Sequence, residues 1–177
     1  MCGIIAAASN RNVGKLLIQG LHKMEYRGYD SAGIALHQGD AIVHLRALGK
    51  VKLLENKMIK EKPRSNLGIA HTRWATHGEP SEANAHPHKS QDKIFIVHNG
   101  IIENYIELKE ELIAGGYSFS SQTDSELIAH LLDLYLKDGN SMIDAMYLAK
   151  TKLAGAYAIA VIDINNDYII IILFKFM

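Results

Sequence analysis

Cys2, the only cysteine in the chain, directly follows Met1. An amino-terminal peptidase removes an initial methionine readily when the next residue is small, so we expect Cys2 to become the first residue. A thiol and a free α-amine would then share one residue, and the amine, whose reference pKa is about 7.7–8.0, can act as a base. A nucleophile activated by its own terminal amine is a known catalytic arrangement. The alternative is that Cys2 is a small apolar residue that opens a buried strand.

Asn99 and Gly100 follow an apolar strand at residues 93–98. An Asn-Gly pair favours a tight turn. The same pair can also present a side-chain N–H and a backbone N–H to one oxygen, which is the arrangement of an oxyanion hole. Glycine lets a substrate approach the backbone closely. A thiol nucleophile in the same chain favours the second interpretation, although the pattern alone leaves both open.

Arg73 lies where a strand passes into a loop that continues with Trp74, Thr76 and His77. An arginine can bind a carboxylate through two parallel hydrogen bonds, and the threonine and histidine add further donors. The alternative is that Arg73 binds a surface carboxylate and that Trp74 fills the core.

Asp124 stands before an apolar periodic segment, so its local role is predicted to be helix capping. A carboxylate at the edge of a pocket can also pair with a substrate ammonium group. If Arg73 and Asp124 converge, their opposite charges suit the two ends of a free α-amino acid.

The nine histidines raise the question of a metal site. Five of them cluster around the long loop: His71, His77, His86, His88 and His98. Zinc sites usually show tighter ligand spacing, and we expect the rings of His86 and His88 to point apart in an extended segment. Hydrogen bonding and loop anchoring are therefore the predicted roles of these rings, and neither a metal nor a cofactor is predicted.

The composition is that of an ordinary globular domain. The chain has 177 residues, of which 48% are hydrophobic, and 19 basic residues balance 19 acidic ones. Nothing in this balance indicates electrostatic binding of nucleic acid or of a membrane surface. A single cysteine forms no internal disulfide, which favours a cytoplasmic location. The longest apolar run, residues 168–174, is too short to cross a bilayer.

Hydrophobic periodicity outlines the elements that must position these residues. Strands are predicted at 2–8, 31–37, 41–48, 66–73, 93–98, 156–163 and 168–174. Helices are predicted at 13–24, 50–62, 103–114, from about 124 onward, and at 141–153. Residues 74–92 form a long loop, and such loops are often functional. Strands that come in antiparallel pairs, with helices between the groups, indicate a layered α+β fold.

Eight segments carry a resemblance to a known family: residues 1–4, 25–33, 48–51, 69–78, 84–88, 97–104, 123–126 and 153–157. Together they resemble the glutaminase domain, a class II glutamine amidotransferase, of the glucosamine-6-phosphate synthases. These synthases are the isomerizing glutamine–fructose-6-phosphate aminotransferases. The resemblance covers the chain from Met1 to about Asp163.

The resemblance implies an amino-terminal-nucleophile (Ntn) hydrolase fold, a four-layer αββα sandwich with two antiparallel sheets. Residues 1–177 are expected to form a glutaminase domain that is incomplete at its C-terminus, without the sugar isomerase domains of the family. On that basis the chain is expected to fold poorly by itself or to be weakly active.

The resemblance also implies a chemical role for each site residue. Cys2 attacks the side-chain amide of glutamine, and Asn99 with Gly100 stabilises the oxyanion. The implied substrate-binding residues are Arg73, Trp74, Thr76, His77 and Asp124, where Trp74 belongs to a loop that closes over glutamine. The implied supporting residues are Arg27, Gly28, His86 and His98.

The implied small-molecule partner is L-glutamine, and the ammonia released from it serves glucosamine-6-phosphate synthesis. In the family, fructose 6-phosphate binds at the separate isomerase domain, and dimers form through the domains absent here. No nucleic acid or membrane partner is expected. Two alternatives stay open: another Ntn-type amide hydrolase, and a non-functional or metal-binding fragment.

Overall fold

The amino-terminal half of the chain forms one antiparallel sheet with two helices. The computed structural model describes residues 2–174. The strands of this first sheet are β1 (Gly3–Ala8), β2 (Ser31–Gln38), β3 (Ala41–Leu48) and β4 (Leu67–Arg73). The helices are α1 (Gly14–Met24) and α2 (Val51–Glu61), with a short 3-10 turn at Glu25–Arg27. The strand order is β1-β4-β2-β3.

The second half repeats this plan with three helices. Its strands are β5 (His88–Ser90), β6 (Ile94–Gly100), β7 (Tyr157–Asp163) and β8 (Ile170–Phe174), in the order β5-β6-β7-β8. Its helices are α3 (Tyr105–Ala114), α4 (Glu126–Lys137) and α5 (Met142–Lys152).

Three apolar clusters stack the elements into four layers. One cluster joins α1 and α2 to the outer face of the first sheet, and another joins α3, α4 and α5 to the outer face of the second. The third lies between the sheets, where Ile69 of β4 and Phe95 and Val97 of β6 are essentially inaccessible. Each sheet is therefore apolar on both faces along its central strands, which favours an αββα sandwich.

The predicted αββα sandwich with two antiparallel sheets is confirmed. The predicted strands and helices are all present, with ends that differ by a few residues. The loop predicted at 74–92 also contains β5, which is only three residues long and shows too little alternation to be recognised. The predicted removal of Met1 concerns a residue outside the described part of the chain.

Strand register brings the start of the chain to the end of β4. Because β1 and β4 run antiparallel, Gly3 pairs with Thr72, so Cys2 is adjacent to Arg73. β6 reaches the same end of the sandwich and finishes at Asn99 and Gly100. Side chains far apart in sequence therefore meet at one end of the two sheets.

Within residues 2–174, no helix is both long enough and apolar enough to cross a membrane.

Candidate active site

A cavity of about 410 Å³ opens at the end of the sandwich where β1, β4 and β6 meet. Its volume lies within the usual range for small-molecule sites, about 300–1,000 Å³. The residues that line it are Cys2, Arg73, Trp74, Thr76, His77, His86, His98, Asn99, Gly100, Ile101, Thr123, Asp124 and Ser125. Ten of the twelve residues predicted for the site are in this set, and the other two, Arg27 and Gly28, lie beside it.

The Cys2 thiol is held by the backbone of Trp74. The amide of Trp74 donates to the sulfur at 3.1 Å, and the sulfur lies 3.5 Å from the carbonyl oxygen of the same residue. The side chain is partly exposed and forms no disulfide. Cys2 precedes β1 and faces the cavity, so the alternative that it opens a buried strand as a packing residue is wrong.

Asn99 and Gly100 are the last two residues of β6. They pair with Ala158 and Tyr157 of β7, so the tight-turn interpretation of the Asn-Gly pair is wrong. Gly100 has φ of 128°, and a Cβ there would collide with the carbonyl oxygen of Ala156. Only glycine fits this close approach, and both residues present their free side to the cavity.

Arg73 is almost completely buried and binds its own loop. Its Nη2 donates to the carbonyls of His77 at 2.5 Å and Gly78 at 3.0 Å. Its Nη1 donates more weakly to Glu79 O at 3.4 Å and to Asp30 Oδ1 at 3.3 Å. The alternative of a surface ion pair is wrong, since Arg73 is 3% exposed. A bound carboxylate would have to replace these carbonyl acceptors.

Asp124 does not cap α4, contrary to the sequence prediction. Its Oδ2 accepts from the backbone N–H of Ile102 at 2.9 Å, and Ser125 occupies the cap position without a capping side-chain bond. Asp124 therefore binds a backbone amide just after β6, instead of an amide in the first turn of α4. The carboxylate is 3% exposed and lines the cavity, and its Oδ1 lies 3.9 Å from His77 Nδ1.

Trp74, Thr76 and His77 form the exposed rim of the cavity. Trp74 is 53% exposed, so the alternative that it fills the core is wrong. Its ring lies against Gly28, where φ is 76° and a Cβ would collide with the indole. Arg27 lines a smaller cavity of about 240 Å³ that also contacts Cys2 and Asn99.

Four buried histidines form the floor behind the cavity. The ring of His86 lies 4.1 Å from His71, 4.5 Å from His88 and 6.4 Å from His98, between ring centroids. The prediction that His86 and His88 point apart is wrong. It assumed a fully extended segment, whereas the two rings meet edge to face at an interplanar angle of 72°.

Hydrogen bonds connect this histidine cluster to both sides of the cavity. His71 Nε2 lies 2.8 Å from Asn99 Oδ1, and His98 Nδ1 lies 2.7 Å from Ser125 Oγ. His88 Nε2 lies 3.1 Å from Thr123 Oγ1. The predicted hydrogen-bonding role of these rings is thus seen in the geometry.

Burial keeps the cluster neutral. It lowers the pKa of His71 and of His88 to about 3 and that of His98 to about 4, and the pKa of His86 falls well below its ordinary value. The attraction of Glu126 for a charged His88 and of Asp124 for a charged His98 is smaller than the cost of removing the imidazolium ion from water. Neutral rings act as one donor and one acceptor each, which suits them to fixing neighbouring side chains.

Two acidic residues that the sequence analysis missed hold the loops of the site. The carboxylate of Asp30 accepts from the backbone N–H of Ala75 at 2.5 Å as well as from Arg73. Glu126 accepts from the backbone N–H groups of Ser120 and Ser121 at 2.6–3.1 Å. The motifs Tyr-Asp-Ser and Asp-Ser-Glu contained both, but nothing local indicates which distant amides they reach.

Among residues 2–174, no group of three or more histidine, cysteine, aspartate or glutamate side chains is arranged to hold a metal ion.

Two antiparallel sheets between helical layers, with a cysteine directly before the first strand, define an Ntn-type amidotransferase fold. The B. subtilis glutamine phosphoribosylpyrophosphate amidotransferase, solved with ADP and GMP, superposes with a TM-score of 0.77 at 23% identity, over 92% of this chain and 35% of that one. A structure described as the allosteric regulatory enzyme of purine biosynthesis gives 0.79 at 25% identity, over 93% and 36%.

The sequence matches the family model of the glutamine amidotransferase domain over residues 71–173, and the chain belongs to that family. Curated relatives include the isomerizing glutamine–fructose-6-phosphate aminotransferases of Haemophilus ducreyi, 53% identical over 164 residues, and Escherichia coli K12, 51% identical over 164 residues. Both alignments cover 92% of this chain and 27% of the relative. The chain therefore spans about a quarter of the length of these relatives.

Proposed function

We propose that this chain hydrolyses L-glutamine to glutamate and ammonia through a thioester on Cys2. The observation that carries the proposal is the convergence of four groups around one cavity: a thiol, a pair of N–H donors, a buried arginine and a buried aspartate. A thiol with an oxyanion site suits acyl transfer, and a pair of opposite charges suits a free amino acid.

In the proposed reaction, the sulfur of Cys2 attacks the side-chain carbonyl carbon of glutamine. The carbonyl oxygen becomes an oxyanion that accepts hydrogen bonds from the Asn99 side-chain amide and the Gly100 backbone N–H. When the C–N bond breaks, ammonia leaves and a γ-glutamyl thioester remains. Water then adds to the thioester carbonyl, and the C–S bond breaks to give glutamate and the free thiol. Two easier steps thus replace one difficult amide hydrolysis.

The proton transfers are assigned to the α-amine of Cys2 after Met1 has been removed. In its neutral form the amine takes the thiol proton and later delivers it to the departing nitrogen. With Met1 retained, this nitrogen would be an amide, which is not basic. The proposal therefore requires a processed first residue.

Specificity for glutamine is assigned to the charged groups on opposite sides of the cavity. Arg73 binds the α-carboxylate, and Thr76 and His77 assist it. The carboxylate replaces the loop carbonyls that accept hydrogen bonds from Arg73 in this structure. Asp124 binds the α-ammonium through Oδ1, since Oδ2 is engaged by Ile102 whereas Oδ1 accepts a long hydrogen bond, 3.3 Å, from Ser125 Oγ. The two methylene groups between the α-carbon and the side-chain amide of glutamine then allow that amide to reach Cys2 and Asn99.

The destination of the ammonia is proposed from the relatives alone. They are named glutamine–fructose-6-phosphate aminotransferases, and this chain corresponds to about a quarter of their length. We therefore assign the chain the role of the ammonia-supplying domain in glucosamine-6-phosphate synthesis, with fructose 6-phosphate bound outside residues 1–177. A cytoplasmic location remains a prediction.

Cys2→Ala is the decisive variant. Wild-type protein should release ammonia from glutamine and should form one adduct with a diazoketone analogue of glutamine, with loss of dinitrogen and formation of an S–C bond at Cys2. The variant should lose turnover by roughly a thousandfold or more and form no adduct. Ammonia release is measured by a coupled assay, and intact mass reports both the adduct and removal of Met1. Parental activity in Cys2→Ala, or an adduct at another residue, would overturn the proposal.

A further inference from the structure

We propose that His71 is a positioning residue that turns the Asn99 side-chain amide so that its NH₂ group faces the cavity. The inference rests on the proposed function, because it assigns that NH₂ group to the oxyanion of glutamine hydrolysis. The observation behind it is the 2.8 Å contact between His71 Nε2 and Asn99 Oδ1. His71 itself does not line the cavity, so it acts through Asn99.

The side-chain amide of asparagine has an acceptor, the oxygen Oδ1, and a donor, the NH₂ group. Only the donor stabilises an oxyanion. With Oδ1 bound to His71, the NH₂ group points to the other side, where Asn99 borders the cavity with Cys2 and Gly100. Among the described residues, Asn99 Nδ2 has no hydrogen-bond acceptor. With the amide reversed, a carbonyl oxygen would face the developing negative charge and repel it.

The surroundings of His71 select the ring tautomer that gives this orientation. Its Nδ1 is buried without a hydrogen-bond partner among the described residues. If Nδ1 carried the proton, a buried N–H would be left unpaired, and orphaned donors are rarer in proteins than under-used acceptors. With the proton on Nε2, the ring donates to Asn99 Oδ1 and only a lone pair stays unpaired. The neutral Nε2–H form is therefore favoured.

Packing fixes the ring that makes this bond. His71 is 1% exposed, and its ring lies 4.1 Å from that of His86 at an interplanar angle of 34°. It belongs to β4, which pairs with β1 on one side and β2 on the other, so its backbone is fixed as well. A donor held this firmly sets the amide before substrate arrives, which is what electrostatic preorganisation requires.

Neutrality of His71 is also required, and burial provides it. Burial is the largest influence and lowers the pKa of His71, and the charges of His98 and Arg73 act in the same direction. The hydrogen bond to Asn99 and the contact with the His98 backbone raise the pKa, but burial outweighs both. At neutral pH the ring therefore has one N–H, and Asn99 Oδ1 lies 2.8 Å from its Nε2.

The kinetic test compares two substitutions at position 71. His71→Phe keeps an aromatic ring against His86 but removes the donor, so kcat for glutamine should fall roughly 10- to 100-fold, below the full loss of an oxyanion donor. The KM for glutamine and the inhibition constant of the product glutamate should stay within about twofold, because neither reports the oxyanion. His71→Gln restores an N–H donor and should recover most of kcat.

Tyr117→Phe is the matched control. It removes a buried hydrogen bond to Asp133, 2.7 Å long, far from the cavity lining, and should cost about 1 kcal/mol of stability. Its kcat should stay at the wild-type value. A fall in kcat for this control as large as that for His71→Phe, a kcat of His71→Phe within twofold of wild type, or a matching loss of glutamate affinity would each overturn the inference.

Nuclear magnetic resonance separates failure of this inference from failure of the proposed function. A wild-type chain that releases no ammonia overturns the function, yet the ring tautomer of His71 and the side-chain amide resonances of Asn99 can still be measured. An Nε2–H tautomer and an Asn99 amide that shifts in His71→Phe but returns in His71→Gln support the orientation. An Nδ1–H tautomer, or Asn99 resonances unchanged by His71→Phe, overturns it.

Discussion

The two sides of the cavity are held in different ways. On the Arg73 wall, residues 73–78, Trp74 and Thr76 are exposed, and the arginine binds mainly carbonyls four to six residues away. Asp30 is the distant carboxylate that anchors this wall, through Arg73 and Ala75. On the Asp124 wall, residues 121–126, all but Gln122 are buried, and the side chains bind distant partners such as Ile102 and His98.

This difference separates two tasks of a binding site. Contacts within one short segment can rearrange without disturbing the core, whereas contacts between distant segments break only when the packing around them opens. The Arg73 wall is therefore suited to admit and bind a ligand, and the Asp124 wall to keep its groups in fixed positions. Changes in the Asp124 wall and its histidine floor should affect stability, and changes in the Arg73 wall should affect substrate binding.

The largest expected effect is acid unfolding driven by the histidine floor. His71, His86, His88 and His98 stay neutral in the folded protein, with lowered pKa values, but bind protons in the unfolded chain below its ordinary pKa of about 6.5. Their contribution is therefore complete above about pH 6.5 and is lost as the pH falls towards about 3–4. Each ring should cost roughly 2 kcal/mol between pH 7 and pH 5.

Urea unfolding at several pH values between 8 and 5 measures this loss. His86→Phe removes one titrating ring and should reduce the slope of the unfolding free energy below pH 6 by about 1.4 kcal/mol per pH unit, whatever its effect at pH 8. An unfolding free energy that is flat from pH 7 to pH 5 would contradict the neutral cluster.

The next largest effect is expected from Glu126→Gln in the Asp124 wall. Burial opposes ionisation of Glu126, but the His130 ring 3.7 Å away and hydrogen bonds from Ser121 and Ser120 outweigh it and lower the pKa. The amide would point an NH₂ group at backbone N–H donors, so the unfolding free energy should fall by roughly 2–4 kcal/mol at pH 7. Chemical denaturation at pH 7 gives the value.

Glu82→Gln is the control for this variant, since Glu82 makes an exposed ion pair with Lys57. It should change stability by roughly 0.5 kcal/mol or less. If both substitutions lowered the unfolding free energy equally, the buried contacts of the Asp124 wall would contribute no more stability than an exposed ion pair.

Arg73→Lys tests the other wall through binding. Lysine lacks the planar fork of the guanidinium, so the KM for glutamine should rise roughly tenfold, about 1.4 kcal/mol, with a smaller fall in kcat. Steady-state ammonia release gives both constants. Glutamine saturation that is unchanged in the variant would place Arg73 outside the substrate site and leave it only a loop-holding role.

The smallest effect is expected at His22, far from both walls. Its Nδ1 lies 2.9 Å from Glu25, which raises the pKa of the ring, and Glu55 assists. A raised pKa gives stability that is present below about pH 6.5 and lost as the pH rises through the folded value. His22→Gln should therefore destabilise at pH 6 by roughly 0.5 kcal/mol or less and hardly at all at pH 8. A destabilisation by His22→Gln that is larger at pH 8 than at pH 6 would contradict this prediction.

The sequence predicted those features that depend on repeating patterns. Continuous runs of mostly apolar residues located β4 and β6, because both strands are buried on two faces. Local interpretations failed where a distant partner took over: Gly100 pairs with β7 rather than turning, and Asp124 binds Ile102 rather than its own helix. The contact between His71 and Asn99 joins residues 28 positions apart, and neither motif by itself indicates it.

The membership of the site was predictable through family resemblance, but its internal bonding was not. The resemblance named Arg73 and Asp124, and the structure brings both to one cavity. That Arg73 already holds three carbonyls of its own loop depends on how residues 77–79 curl back, which no spacing rule describes. Their roles in substrate binding remain predictions.

Trp74 is the only tryptophan in the chain, and its indole lies at the mouth of the cavity against Gly28. The intrinsic fluorescence of this protein therefore originates almost entirely from the site. Glutamine titrations and stopped-flow mixing can follow the emission of one indole without any attached dye, and Gly28 is the position at which a methyl group would perturb that signal at its source.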